Sequence, residues 1–139
     1  MQGWVLRPWR EAFKFSGRAT RREYWLFSLQ VALLFGLMLL IAAAWGGTDP
    51  TGATAVILAG AFLLFYLFTF VATLSASVRR LHDHDKSGWF YLLSLVPLIG
   101  WIFFLIMMLT PGTRGTNSYG RDPREGDASD VGELEQVFS

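Results

Sequence analysis

The stretch RRLHDHDKSGW, from Arg79 to Trp89, brings two histidines, two aspartates and three cations together between two apolar runs. These residue types could ligate a metal ion or form a relay in which an aspartate orients a histidine. On a helix, however, His82 and His84 point about 200° apart, and no second cluster of ligands accompanies them. The relay lacks an identifiable nucleophile. We therefore predict no metal site, no cofactor and no catalytic residue, which leaves His82 and Asp83 without a derived role.

The residues on either side of this pair have structural interpretations. Arg79 and Asp83 have the i,i+4 spacing of an exposed ion pair, worth roughly a few tenths of a kcal/mol. Ser87 is placed to cap the following helix. Trp89 then anchors that helix at a membrane interface, where amphipathic rings are favoured.

Six cations near the apolar runs predict contact with lipid headgroups. They are Arg18, Arg21, Arg22, Arg79, Arg80 and Lys86. A basic rim of this kind attracts anionic lipid at about 1 kcal/mol per cation near the surface. We expect membrane lipids as partners, with anionic headgroups at the rim. Nucleic acid is not expected, because no aromatic-lined soluble platform accompanies the cations.

Three uncharged apolar runs must position these residues, and they cover residues 25–45, 53–78 and 89–109. A helix needs about 20 apolar residues to cross a hydrocarbon core of roughly 30 Å, so each run is long enough. Apolar residues make up 53% of the chain and charged residues only 17%, as is typical of a membrane protein. Pro97 and Gly100 interrupt the third run. A re-entrant hairpin is one interpretation, but its halves are too short to span, so a kinked third span is favoured.

The segments outside these runs predict a short interfacial helix and a loop-rich tail. Residues 4–17 mix aromatic residues with cations, as in an amphipathic helix on a membrane surface, and the glycine of FSG would end it. Thr20 and Glu23 have the spacing of a capping box at the start of the first span. After the third span, TPGTRGTNSYGRDP predicts consecutive turns. The membrane domain thus covers residues 1–123, and residues 124–139 form an acidic tail expected to be flexible.

Lysine and arginine predict the orientation of the chain in the membrane. They concentrate before the first span and after the second, whereas the GGTDPTG loop between these spans has none. The N terminus is therefore expected in the cytoplasm, and three spans would carry the C terminus to the other side. The chain has no cysteine, which excludes disulfides, thiolate chemistry and cysteine-ligated metals.

A stripe of polar side chains follows one face of the second span at helical spacing. It consists of Tyr66, Thr69, Thr73 and Ser77. We interpret the stripe as a helix-packing seam, with Gln30 of the first span as its expected polar partner. A polar path leading to Arg80 is the alternative. No ionisable side chain lies deep within a span, which disfavours an ion-coupled transporter.

Three motifs in a fixed order around the apolar runs are similar to those of a known family. They are FSGRATRREYW, RRLHDHDKSGW and PGTRGTNSYGRDP. With these motifs the chain resembles the domain of unknown function 805 family from about Phe13 to Pro123. The resemblance implies a small helical protein of the bacterial inner membrane, so the expected C terminus is periplasmic. It implies no reaction.

The resemblance also separates the residues of the central motif. His82, Asp83 and Trp89 match the family signature, although their role is unknown. His84 and Asp85 do not belong to it, and we expect both to be solvated at the turn.

We therefore predict an all-α integral membrane protein with three transmembrane helices, a short amphipathic N-terminal helix and a loop-rich C-terminal tail. Its expected role is that of a non-enzymatic, lipid-associated accessory or assembly protein, which pairs with copies of itself or with another membrane protein. A homo-oligomeric channel or transporter component is the alternative from a different class. A membrane-embedded enzyme using His82 and Asp83 is the third hypothesis.

Overall fold

The computed structural model describes residues 3–46 and 52–125, and within these ranges the protein is helical. Its elements are α1 (Gly3–Arg10), α2 (Arg21–Gly46), α3 (Ala53–Asp83), a 3₁₀ helix (Gly88–Leu95) and α4 (Ile99–Leu109). The β-type pairing in the described ranges is a single isolated bridge between Asn117 and Gly120. The all-α architecture is therefore confirmed. The predicted flexible tail, apart from its first two residues, lies outside the described residues.

Two helices are long and apolar enough to cross a membrane. The 26 residues of α2 and the 31 residues of α3 correspond to about 39 Å and 47 Å at the usual rise per residue. Both lengths exceed a hydrocarbon core of roughly 30 Å. Along most of their length these helices expose large apolar side chains, such as Leu33, Leu40 and Val56. Such surfaces are stable in contact with lipid chains.

The first span begins at the predicted cap. The Thr20 hydroxyl accepts a hydrogen bond from the backbone N–H of Glu23 at 3.2 Å, and α2 starts at the next residue, Arg21. The side chain of Glu23 does not complete the box, because it pairs with Arg79. Half of the capping box is thus present, and it fixes where the helix starts.

The third apolar run is not one continuous helix, and the predicted third span is not confirmed. Proline disfavours helical geometry in the residue before it, and Val96 is extended (φ −77°, ψ 118°). The next residue after Pro97, Leu98, has a positive φ of 63°. Gly100 then lets α4 pack directly on the Leu93 carbonyl, because a Cβ at this position would collide with it. The run folds into a short hairpin, whose 11-residue α4 is about 17 Å long.

Aromatic pairs hold the two halves of this hairpin together. The Tyr91 ring meets Phe104 edge-on with ring centroids 5.5 Å apart, and Phe90 lies 6.2 Å from Phe103. The Trp25 indole donates to the Met108 carbonyl at 3.1 Å, which fastens α4 to the beginning of α2. The hairpin therefore returns the chain to the end of the bundle where α2 begins.

The N-terminal helix is shorter than predicted and packs on α2 and α3. It ends at Arg10, and not at the glycine of FSG, because the chain turns at residues 11–13. Trp9 stacks on Phe68 with ring centroids 6.1 Å apart and meets Phe27 edge-on at 5.1 Å. Its indole N–H donates to the Gln30 Oε1 at 2.7 Å. The polar partner of Gln30 is therefore Trp9, and the prediction that Gln30 serves the stripe on α3 is wrong.

The stripe itself is only partly a packing seam. Thr69 and Ser77 are buried, Thr73 is half-buried, and Tyr66 is 56% exposed. The Thr69 hydroxyl donates to the Phe65 carbonyl of its own helix at 2.8 Å. Burial increases toward the carboxyl end of α3, where the small apolar core of the protein also lies. That core consists of Ala12, Tyr24, Phe27, Ala72, Ala76, Leu81 and Met108.

Candidate functional site

The last turn of α3 places Asp83 at the centre of a buried cluster of charges. Its Oδ1 accepts from the Arg18 Nε at 3.0 Å, and its Oδ2 accepts from the Arg80 Nη1 at 2.5 Å. We call Arg18, Arg80 and Asp83 the Asp83 cluster, and none of the three is more than 2% exposed. Charges at such depth are stable only when they are paired and hydrogen-bonded. Asp83, left without a role by the sequence, is thus the central ion-pair partner of this end of the bundle.

A second buried ion pair involves Arg79, on the neighbouring face of the same turn. Its Nη1 donates to the Glu11 Oε2 at 2.7 Å and to the Glu23 Oε1 at 3.0 Å. The prediction of an exposed Arg79–Asp83 pair is wrong, because Arg79 pairs with Glu11 and Glu23, whereas Asp83 pairs with Arg18 and Arg80. Arg7 adds a longer contact of 3.7 Å to Glu23. The pair joins α3 to the start of α2 and to the turn after α1.

The segment after α4 docks on the Asp83 cluster. Arg18 donates to the carbonyls of Thr113 and Gly115 at 2.5 and 2.6 Å. The backbone N–H of Thr113 donates to the Asp83 carbonyl at 2.8 Å. Gly112 approaches so closely that a Cβ would collide with the carboxylate and carbonyl of Asp83. Residues 113–125 therefore lie at the same end of the bundle as Arg18 and Asp83.

Two further contacts with the motif histidine His82 hold this segment in place, and an ion pair lies within the segment itself. The His82 ring stacks on Tyr119 with centroids 3.9 Å apart and planes 6° from parallel. Its Nδ1 lies 3.1 Å from the Gly17 carbonyl, and its backbone carbonyl accepts from the Asn117 amide at 2.9 Å. Asp122 accepts from the Arg124 Nε at 2.7 Å. His82 is thus a packing residue between the first and third motifs.

The prediction of a solvated residue at the turn is wrong for His84, whereas Asp85 is exposed as predicted. The His84 Nε2 lies 2.8 Å from the Met107 carbonyl, and the side chain is half-buried. The exposed Asp85 accepts from the backbone N–H of Ser118 at 3.1 Å and adopts a φ of 56°, which aspartate tolerates better than most residues. Ser87 accepts from the N–H of Trp89 at 3.4 Å, as predicted for a cap. The capped element is the 3₁₀ helix, on which Trp89 is exposed.

Burial and charge also shift the ionisation of two groups in the loops. Burial lowers the pKa of the His84 imidazole, and the charge of Arg80 lowers it further, against the effect of the Met107 carbonyl. The ring is therefore neutral at pH 7. Burial by itself would raise the pKa of Asp122. The hydrogen bonds from Arg124 and Gly115 outweigh this effect, so the pKa of the carboxyl lies below its usual value.

The structure divides the six predicted rim cations into two groups. Arg18, Arg79 and Arg80 are buried in ion pairs and do not form part of an exposed rim. Arg21, Arg22 and Lys86 are exposed. Lys86 lies over the Phe90 ring at 5.9 Å from its centroid. The rim is therefore smaller than the sequence suggests, and the buried cations have structural partners.

A cavity of about 450 Å³ opens between the first turn of α2, the end of α3 and the turn after α4. We call it the arginine cavity, because four arginines and a single carboxylate line it. These residues are Arg21, Arg22, Arg80, Arg124 and Asp83. A second cavity, of about 470 Å³, lies against Arg18 and residues 119–123. No group of three or more side chains suited to a metal ion occurs in residues 3–46 and 52–125.

Sequence reasoning missed the residues that complete the charged end of the bundle. Glu11 was assigned to a surface helix, although it accepts from a fully buried arginine. The sequence predicts only turns at Thr113, Asn117 and Tyr119. The available signal for them is the third motif, in which Asn117 and Tyr119 match the family pattern. Their contacts show that this motif is a docking segment.

Sequence comparison agrees with this arrangement of motifs. Residues 12–121 match the family described as "Protein of unknown function (DUF805)". The chain belongs to this family. It is 39% identical over 123 residues to the inner membrane protein YhaI of Escherichia coli strain K12. The aligned segment covers 88% of this chain and 97% of YhaI. No solved structure matches it.

Two further relatives from the same strain complete the comparison. The inner membrane protein YhaH is 33% identical over 121 residues, covering 87% of this chain and 96% of YhaH. The uncharacterized protein YiiR is 29% identical over 138 residues, covering 81% of this chain and 88% of YiiR. The predicted family is confirmed. With the two long apolar helices, the names of these relatives support a helical membrane protein of the inner-membrane type.

Proposed function

We propose that this family member is a non-enzymatic, lipid-associated accessory or assembly protein of the bacterial inner membrane, whose basic end binds anionic headgroups. The observation that carries this proposal is the exposure of Arg21 and Arg22 in the first turn of α2. The side chain of neither residue forms a hydrogen bond or an ion pair with another described residue. Cations at the start of a spanning helix lie at headgroup level, where each contributes about 1 kcal/mol of attraction to an anionic surface.

The geometry of the two signature residues favours a non-enzymatic role. Both carboxylate oxygens of Asp83 are engaged by arginines, and one face of the His82 ring is covered by Tyr119. A general acid or base must reach the proton that it transfers. In this arrangement both residues instead hold chain segments together. The same contacts support a role in which this end of the protein is a stable platform for lipid or for a membrane partner.

We also infer that the N-terminal segment and residues 113–125 both face the cytoplasm. The contacts of Arg18 join these two segments at one end of the bundle, and the rule that basic residues stay inside favours the cytoplasm for that end. Alkaline phosphatase fused to the C terminus should be inactive, whereas a fluorescent protein fused there should fluoresce. An active phosphatase fusion of the full-length chain would overturn this orientation.

Native mass spectrometry of the purified protein tests the lipid proposal. Phosphatidylglycerol should be retained over phosphatidylcholine with the same acyl chains, and R21Q/R22Q/K86Q should reduce that preference strongly. The matched control R10Q/R114Q/R121Q removes three other exposed cations and should keep most of it. Equal retention of the two lipids by the wild type, or equal losses in both variants, would refute a lipid-binding role for the exposed rim.

A further inference from the structure

The arginine cavity has the size and the charge of an anion site. Its volume of about 450 Å³ lies within the range of roughly 300–1,000 Å³ usual for ligand pockets. Four guanidinium groups and one carboxylate line it, which leaves a formal excess of three positive charges. Guanidinium groups bind phosphate oxygens in a bidentate manner, so phosphate is the anion best suited to such a lining.

The charges in the wall of the cavity are not equally available. Arg80 pairs with Asp83 within the wall, and Arg124 pairs with Asp122 and donates to the Thr113 carbonyl at 2.8 Å. Arg21 and Arg22 are exposed and pair with no other described residue. Within the described residues, the cavity therefore offers two positive charges without a counterion, backed by two arginines that are already held in position.

The two cations that pair with no described residue match the charge of a phosphomonoester. A phosphomonoester carries about −1.5 to −2 charges at pH 7, because its second pKa is near 6. A phosphodiester carries a single charge at every physiological pH. The extra partial charge favours the monoester in a site where two arginines have no counterion among residues 3–46 and 52–125.

The position of the cavity points to a lipid as the source of the phosphate. Arg21 and Arg22 lie in the first turn of α2, before its apolar part, and the turn at Pro111–Gly112 follows the apolar part of α4. The Trp25 indole ties these two helices together just beside the cavity. A headgroup bound there has exposed apolar side chains, such as Leu109, next to it for its acyl chains.

We propose that the arginine cavity binds the phosphomonoester headgroup of a membrane lipid, with Arg21 and Arg22 pairing with the phosphate. This inference rests on the proposed function and narrows it from anionic lipids in general to one headgroup class. Arg80 and Arg124 line the wall of the site and add to its positive potential, and the Asp83 cluster keeps that wall rigid.

The test compares phosphatidic acid, phosphatidylglycerol and phosphatidylcholine of identical acyl chains by native mass spectrometry at pH 7.4. The wild type should retain phosphatidic acid about fivefold more than phosphatidylglycerol, the effect expected of one additional unit charge near a membrane surface. R21Q/R22Q should lower this ratio to about one. R114Q/R121Q, which removes two other exposed cations, should leave the ratio unchanged. Loss of the ratio in both variants, or in neither, would overturn the assignment to this cavity.

Two further arms use the wild-type protein alone. Lowering the pH from 7.4 to 5.5 protonates the phosphomonoester. The retention of phosphatidic acid should therefore fall toward that of phosphatidylglycerol. Inorganic phosphate at millimolar concentration should leave the bound lipid in place, and phosphate bound instead of lipid would overturn the lipid assignment. If both anionic lipids bind equally and better than phosphatidylcholine, this inference fails and the proposed function stands. If all three lipids bind equally, both fail.

Discussion

The substitution Asp83→Asn tests whether the signature aspartate is the structural centre of the charged end. Asparagine keeps the size of the side chain and one acceptor oxygen, but it removes the charge and turns an amide N–H₂ toward one of two arginines. Arg18 and Arg80 would stay buried without a counterion, since neither is more than 2% exposed in the protein. The variant therefore isolates the charge of Asp83 from its packing.

The expected loss of unfolding free energy is a large fraction of the stability of a typical domain. Removing one partner of a buried ion pair costs about 3–5 kcal/mol, because the remaining charge is left unpaired. Asp83 serves two arginines, at 3.0 and 2.5 Å, so we expect the upper part of this range. A loss of this size is a substantial fraction of the roughly 5–15 kcal/mol that stabilises a native domain.

Denaturant titration in detergent micelles, followed by tryptophan fluorescence, measures this free energy of unfolding. Limited proteolysis should in addition show cleavage in residues 112–122, because Arg18 holds that segment only while it is itself held by Asp83. Asp85→Asn is the matched control, since its exposed carboxylate makes one hydrogen bond to Ser118, and its loss should stay below about 1 kcal/mol. A loss in Asp83→Asn no greater than in Asp85→Asn would refute the buried ion-pair argument.

Three other perturbations test neighbouring contacts. Arg79→Met should lower the free energy of unfolding by about 3 kcal/mol, because it leaves two carboxylates without their shared partner; wild-type stability in the same titration would contradict this. Gly112→Ala should destabilise the protein by more than about 1 kcal/mol, since its Cβ would collide with Asp83, whereas Gly60→Ala, which meets nothing within 4 Å, should be neutral or stabilising. Stability should also fall as the pH drops below about 7, because the pKa of His84 in the folded protein lies below its usual 6.5 and the unfolded chain takes up the proton first. His84→Gln should flatten this part of the pH profile, and an unchanged slope would show that another group is responsible.

The features that the sequence predicted correctly depend on residues close together in the chain. The two long spans follow from uninterrupted apolar runs, and the caps at Thr20 and Ser87 follow from spacings of two or three residues. The partners of the charged residues could not be derived in this way. Arg18 and Asp83 are 65 residues apart, and a spacing rule for one helix selects Arg79 as the partner of Asp83 simply because it is four residues away.

The third apolar run shows a different limit of sequence reasoning. Its hydropathy and length meet the requirement for a span, so the sequence favours a span although Pro97 and Gly100 interrupt the run. What decides the outcome is tertiary: Gly100 packs on the Leu93 carbonyl, and Trp25 fastens α4 to α2. Neither contact has a periodic signal. The consequence for topology is large, because a hairpin and a span place the following residues on opposite sides of the membrane.

The contacts also explain why three motifs, far apart in the sequence, occur together in this chain. The first motif supplies Arg18, and the second supplies Asp83. The third supplies a carbonyl acceptor for Arg18 and the glycine, Gly112, that packs against Asp83. Removing the first or the second motif leaves a buried charge unpaired, and removing the third takes away the carbonyl acceptors of the buried Arg18, which is a physical reason for the three to occur as a set. A reaction centre is not required to account for them. Arg21 and Arg22 are different, because their side chains pair with no described residue, and they are the residues on which the proposed anion site depends.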